Sequence, residues 1–183
     1  DIYSSLKDEK GVWQKPEMLG FCRPSSHNGC VALSADGSVL YVYNNDDGNW
    51  NLFKSKYADD KWLEPEPLGP AINTKLNETS LTISTDGKHL YFISDRKGGI
   101  GGKDIYHCVL DKDGEWEKPE NMGIPINSQY DEDAVYIHPQ GKILFFSSNS
   151  NKSMGGYDIF YSTLKDDGNT KSHELINNKE REV

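Results

Sequence analysis

The sequence predicts an all-β fold, a β-propeller of four-stranded antiparallel blades with about three and a half blades present. Three observations carry this. An Asp-Gly or Gln-Gly turn followed by an aromatic strand recurs at Ser34–Tyr43, Ser84–Ile93 and His138–Ser147, with Gly37, Gly87 and Gly141 spaced 50 and 54 residues apart. An Asp/Asn-apolar-aromatic landmark begins at Asp1, Asn51, Asp104 and Asp158, spaced 50, 53 and 54 apart. A Trp followed three residues on by Pro appears as Trp13/Pro16, Trp62/Pro65 and Trp116/Pro119. All three keep one order through the chain. A lone β-sandwich predicts no such internal copy.

Within a repeat the elements follow in order. Strand A is expected at Val31–Ser34, Leu81–Ser84 and Val135–His138. The Gly turn comes next, because glycine takes up positive φ at no steric cost. Strand B is expected at Val39–Tyr43, His89–Ser94 and Ile143–Ser148. A glycine-bearing loop leads into strand C at the second landmark, and a further turn such as Asp111–Gly114 leads to strand D, carrying the Trp. The landmarks divide the chain at 1–30, 31–80, 81–134 and 135–168. A divergent polar tail, 169–183, has Thr170 where a Trp belongs. Apolar side chains on both faces of each small sheet pack against neighbouring blades, so no single unit buries its own core.

The inventory is 13 strands, short of the roughly 16 that a closed four-bladed ring needs. Completion by flanking sequence, a homodimeric ring or an open array resolves the shortfall. The chain begins at Asp1 without a Met or a signal-peptide pattern, as expected of a mature or excised piece.

The formal net charge of -9 repels phosphate backbones and excludes nucleic acid as an expected partner. No apolar run approaches the roughly 20 residues of a membrane helix, so no membrane insertion is expected. Cys22, Cys30 and Cys108 form neither a disulfide framework nor a CxxC zinc pattern. Cys22 and Cys30 could bridge in an oxidising compartment, but the repeat aligns Cys108 with serines and Cys30 with Ser80 and Ala134, which favours small packed residues.

Two groups of polar residues are candidate sites. Counting nine back from the turn glycine places Glu78 and Glu132 in equivalent positions, with Asn28 in the first repeat. Asp131 and Asp133 flank Glu132. The loop entering the innermost strand lies near the channel mouth, where acids suit cations, basic peptide or sugar hydroxyls, and paired carboxylates also equip glycosidases. A residue that recurs in every repeat usually serves the blade, so no catalytic residue is assigned. The second group is Asp95, Arg96, Asp104 and Asp158 around the Gly-rich loops. Gly98–Asp104 resembles a calcium-binding nonapeptide, but its spacing is one residue off and it is not repeated in tandem. The structural reading has the Asp of strand C bonding backbone amides or pairing with Arg96. The five histidines show no metal-binding spacing, and neither a metal nor a cofactor is expected.

The string Ser84–Arg96, followed by Gly98–Tyr106, resembles the WD40-like repeat of TolB-type propellers. The long variant with Trp-x-x-Pro, Leu-Gly and a closing Ile-Asn (Ile72-Asn73, Ile126-Asn127) is similar to propellers of Bacteroidetes-type envelope proteins, often joined to OmpA-like peptidoglycan-binding domains. The resemblance covers about residues 1–168. It implies a scaffold in the periplasm or at the outer membrane that binds a protein or cell-wall component, and it brings no catalytic residues. The first repeat departs from the pattern, with Asn44–Asp46 in place of Ser-Asp-Arg. The alternative function is a carbohydrate-binding or glycoside-active propeller using the channel-mouth acids.

Overall fold

The structure, a computed structural model, describes residues 1–22, 27–45, 48–164 and 173–175. A partial first blade pairs β1 (Tyr3–Ser4) with β2 (Glu17–Met18). The second blade holds β3 (Asn28–Leu33), β4 (Val39–Asn44), β5 (Asn51–Ala58), β6 (Lys61–Trp62) and β7 (Glu66–Pro67). The third holds β8 (Glu78–Ile83), β9 (His89–Ser94), β10 (Asp104–Val109) and β11 (Glu120–Asn121). The fourth holds β12 (Glu132–Ile137), β13 (Ile143–Ser148), β14 (Asp158–Leu164) and β15 (His173–Leu175). Each full blade is an antiparallel sheet in chain order, and there is no helix among the described residues. The expected all-β propeller architecture is what the chain adopts.

Three boundaries differ from expectation. Strand A starts three residues early, at Asn28, Glu78 and Glu132, because a bulge at Cys30/Ala32, Glu78/Leu81 and Glu132/Val135 interrupts the alternation that marks a strand. The Trp does not sit in the main part of strand D. Trp13, Trp62 and Trp116 bridge Lys7, Tyr57 and Leu110 near the hairpin turn, and the deeper pairing falls four residues later at Glu17, Glu66 and Glu120. The fourth blade also gains a last strand that the tail's composition hides: His173–Leu175 pairs with Ser162–Leu164 of β14. The remaining tail lies outside the described residues.

Period-two alternation explains the packing. On β9, Leu90 and Phe92 point to the core shared with the second blade, while Ile93 and half-buried Tyr91 point to the core shared with the fourth. A third core, with Ile2, Leu19, Phe21, Leu40 and Val42, joins the first blade to the second. The A strands β8 and β12 lie side by side, with Ile137 N donating to Thr82 Oγ1 at 3.2 Å. Strand C records where the packing ends. Leu52 and Ile105 are 0% exposed beneath the next blade, whereas the equivalent Ile159 is 80% exposed beyond the fourth.

Candidate functional site

The start of strand A, the end of strand B and the start of strand C meet at one edge of each blade, and the candidate polar residues collect there. Glu78 faces Ser94 across the first rung of its sheet, and Glu132 faces Ser148. Both glutamates are fully buried. Glu78 Oε1 accepts from Ser94 Oγ at 2.8 Å and Thr74 Oγ1 at 2.9 Å, and its Oε2 accepts from Thr74 N at 2.9 Å. Glu132 repeats the pattern with Ser148 Oγ at 3.0 Å and Ser128 Oγ at 2.9 Å. The expectation of Glu78 and Glu132 as open channel-mouth acids is therefore corrected: each ties the segment entering its blade to strand B. Glu78 is paired with Arg96, so the two carboxylates do not flank one substrate as a glycosidase pair must.

The two glutamates differ in one respect. Arg96 reaches Glu78 Oε1 at 3.3 Å, donates to the carbonyls of Ile72 at 2.6 Å and Ala71 at 3.3 Å, and lies over the rings of Phe92 and Tyr106. Ser150 occupies the equivalent place in the fourth blade. Burial there pushes the Glu132 carboxyl up to about 7, against the pull of its serine hydrogen bonds.

Asp95 and Asp131 belong to a reciprocal exchange. Asn77 N and Nδ2 donate to the Asp95 carboxylate at 2.7 and 2.8 Å. One blade on the residue types are swapped: Asp131 N donates to Asn149 Oδ1 at 2.9 Å. Asn77 Oδ1 and Asp131 Oδ1 also accept the amides of Trp50 and Lys103 from the preceding blade, at 3.2 and 3.1 Å. Each pair thus stitches two blades. In the second blade, Asn28 Oδ1 accepts from Asn44 Nδ2 at 3.0 Å.

Asp104 is buried and accepts the amides of Ile100 at 2.7 Å and Gly101 at 3.2 Å, while Asp158 accepts the amide of Met154. Of the two roles expected for the strand-C aspartate, amide bonding is the one realised, since Arg96 turns to Glu78 instead. The glycines follow from this crossing. A Cβ on Gly99 would overlap the Asp104 carboxylate, and one on Gly101 would strike the carbonyl of Tyr130 in the next blade. Gly155 and Gly156, beside the uncovered end, meet nothing.

Two polar devices were invisible to sequence reasoning. Asn127 accepts from Ile105 N and donates to Ile105 O, both at 2.8 Å, so its amide acts as one more ladder partner for strand C. Asn73 does the same for Leu52, at 2.9 Å both ways. In the first blade the equivalent Ile2 meets Cys22, whose Sγ accepts from Ile2 N at 3.3 Å and donates to Ile2 O at 3.8 Å. The signal available in the sequence was the paired Ile72-Asn73 and Ile126-Asn127. All three cysteines are free: Cys22 and Cys108 are buried, and Cys30 is exposed.

The exposed polar surface is built differently in each blade. Lys103 Nζ contacts Asp133 Oδ1 across the third and fourth blades at 2.9 Å, which holds the Lys103 ammonium pKa above its ordinary value. At the equivalents of Lys103 stand Trp50 and Tyr157, and beside the latter Met154 is 94% exposed.

With this geometry in view, the chain overlays TolB from Acinetobacter baumannii over 94% of its length, with a TM-score of 0.61 at 15% identity. The fold is that of a TolB-like propeller. The chain covers 36% of that structure. Against a putative TolB from Agrobacterium tumefaciens the TM-score is 0.59 at 18% identity, covering 94% of this chain and 59% of that one. A puromycin-hydrolysing peptidase from Mycobacterium tuberculosis aligns with a TM-score of 0.55 at 16% identity, over 97% of this chain and 24% of that one. No family model matches the sequence, and no curated protein does. The TolB-like likeness is thus one of architecture, spanning a third to three-fifths of the two TolB chains.

Proposed function

We propose that this TolB-like propeller is a non-catalytic binding module of a bacterial cell-envelope protein, engaging a protein or cell-wall component at the periplasm or outer membrane. One observation carries the reading. The polar residues that recur between blades are spent inside the framework, as with Glu78 and Glu132, whereas exposed positions such as Lys103, Tyr157 and Asp133 change from blade to blade. A constant scaffold with a varied surface is how a repeat protein presents a recognition face. The envelope location rests on the resemblance of Ser84–Tyr106 to TolB-type repeats. The glycoside-active alternative needs two carboxylates facing one substrate, and the pairing of Glu78 with Arg96 in a separate slot disfavours it.

The test uses co-sedimentation with isolated peptidoglycan sacculi, with and without protease stripping, beside a glycan array and a panel of chromogenic glycosides. Saturable retention on sacculi, weakened by Asp133→Lys and without glycoside turnover, is expected. Retention surviving stripping assigns the wall itself, and retention lost on stripping assigns a wall-associated protein. Turnover abolished by Glu132→Gln in a folded chain overturns the reading.

A further inference from the structure

From the segment before strand A to strand C, the third and fourth blades correspond residue for residue at an offset of 54. In the third blade Arg96 fills a slot. Its guanidinium carbon lies 4.8 Å from the Phe92 ring centre and 4.9 Å from that of Tyr106. Its Nη2 donates to Ile72 O at 2.6 Å and to Glu78 Oε1 at 3.3 Å, and its Nε to Ser94 Oγ at 3.0 Å.

The ring pair, the carboxylate and the serine of that slot recur in the fourth blade, with Pro125 in the place of Ala71. Phe146 and Phe160 replace Phe92 and Tyr106, Ile126 replaces Ile72, and Glu132 and Ser148 replace Glu78 and Ser94. The ring pairs match: centroids 5.9 Å apart at 27° in the third blade, and 5.9 Å apart at 24° in the fourth. The guanidinium is missing, and the exposed Lys152 on the cavity wall is a compact ammonium rather than a planar cation. Ser150 stands in Arg96's place, and a cavity of about 390 Å³ opens among Ile126, Glu132, Phe146, Ser148, Ser150 and Phe160. Phe146 and Phe160 share their core with Ile105 of the third blade, so the slot is built wholly within this chain.

The lining selects its occupant. Two stacked aromatic rings with a carboxylate and a carbonyl beside them suit a flat, weakly hydrated cation with several in-plane donors. A compact ammonium has no face to lay on the rings, and a neutral group leaves the buried carboxylate without its counter-charge. The occupant commits to a polypeptide for two reasons. Ile124 lines the rim at 79% exposure and offers apolar contact to residues flanking an inserted side chain. The net charge of -9 draws a basic partner.

We propose that the slot between the third and fourth blades receives the arginine side chain of a partner polypeptide, its guanidinium laid over Phe146 and Phe160 and donating to Ile126 O and Glu132. This deepens the binding-module reading and rests on it. The slot does for a partner in trans what its sister does for Arg96 in cis.

Isothermal titration of the full chain with acetyl-Gly-Arg-Gly-amide tests it, with the Lys and citrulline peptides and agmatine alongside. Saturable binding of the Arg peptide is expected, weaker by about tenfold or more for Lys and for citrulline, as when a charge-assisted hydrogen bond is lost. Glu132→Gln should weaken binding by a similar factor. Ser150→Arg should abolish it while raising the melting temperature, because the chain then supplies its own guanidinium. No binding at millimolar Arg peptide, equal binding of citrulline, or undiminished binding by Ser150→Arg overturns the proposal. Agmatine binding more tightly than the peptide overturns the polypeptide assignment. Failure of the sacculus assay with arginine binding intact sinks the envelope reading alone, so the two failures are distinguishable.

Discussion

Asn127→Ala removes a side chain that is 1% exposed and makes three hydrogen bonds, two to the backbone of Ile105 and one from Nδ2 to Asn121 Oδ1 at 2.8 Å. Alanine leaves the amide of Ile105 without its partner in the core between the third and fourth blades, while the carbonyl keeps the Met122 amide, which donates to it at 3.0 Å. An orphaned buried backbone group costs about 1–3 kcal/mol, so the single orphaned amide gives about 2 kcal/mol. In a domain of this size 1 kcal/mol moves the melting temperature by roughly 2–4 °C, so a fall of about 4–8 °C is expected. Asn73→Ala is the internal comparison. Its bonds to Leu52 are the same, but Asn73 is only half-buried, and water can replace part of what is lost. A smaller loss, about 1 kcal/mol, is expected there. Urea denaturation read by tryptophan fluorescence measures both, and hydrogen exchange at the Ile105 amide reads the local bond. If Asn127→Ala stays within about 0.5 kcal/mol of the parent, the ordinary range of a surface substitution, the ladder role assigned to this side chain is wrong. An equal or greater loss for Asn73→Ala refutes the burial argument.

Three further outcomes follow from the geometry. The Glu132 carboxyl is raised by burial from 4.5 to about 7, so the folded chain binds more protons at this site than the unfolded one between these values, and this group's contribution to stability should be full below pH 4.5 and fall by about 3 kcal/mol as pH rises through 7. Glu132→Gln should flatten that fall in a pH series of melting curves, and an unchanged slope would refute the shift. Gly101→Ala drives a Cβ into the Tyr130 carbonyl and should cost about 1–3 kcal/mol, whereas Gly155→Ala should be close to neutral. Equal melting temperatures for the two would contradict the blade crossing. Finally, the fourth blade leaves Ile159 80% and Tyr136 53% exposed, so the 183-residue chain should self-associate and Ile159→Lys should suppress it. Light scattering decides, and a parent chain that stays monomeric at high concentration refutes it.

The sequence alone determined the architecture of this protein. Asp-Gly turns, aromatic strands and the Asp-Ile-Tyr landmark are local signals, because a turn needs its glycine and a strand its alternation wherever they stand in space. The candidate site was legible only as residue types. Glu78 and Glu132 were visible as recurring acids, but a sequence carries no measure of depth, and the bulge that turns them inward breaks the pattern that would have placed them in a strand. The last strand, His173–Leu175, went unseen because it is held by the ladder with β14 and carries little apolar signal of its own. What Asn127 and Cys22 bond to, and that Ser150 leaves a ring-lined slot beside Glu132, only the tertiary structure decided. Each depends on contacts between segments twenty or more residues apart, and such contacts exist only once the blades have closed on one another.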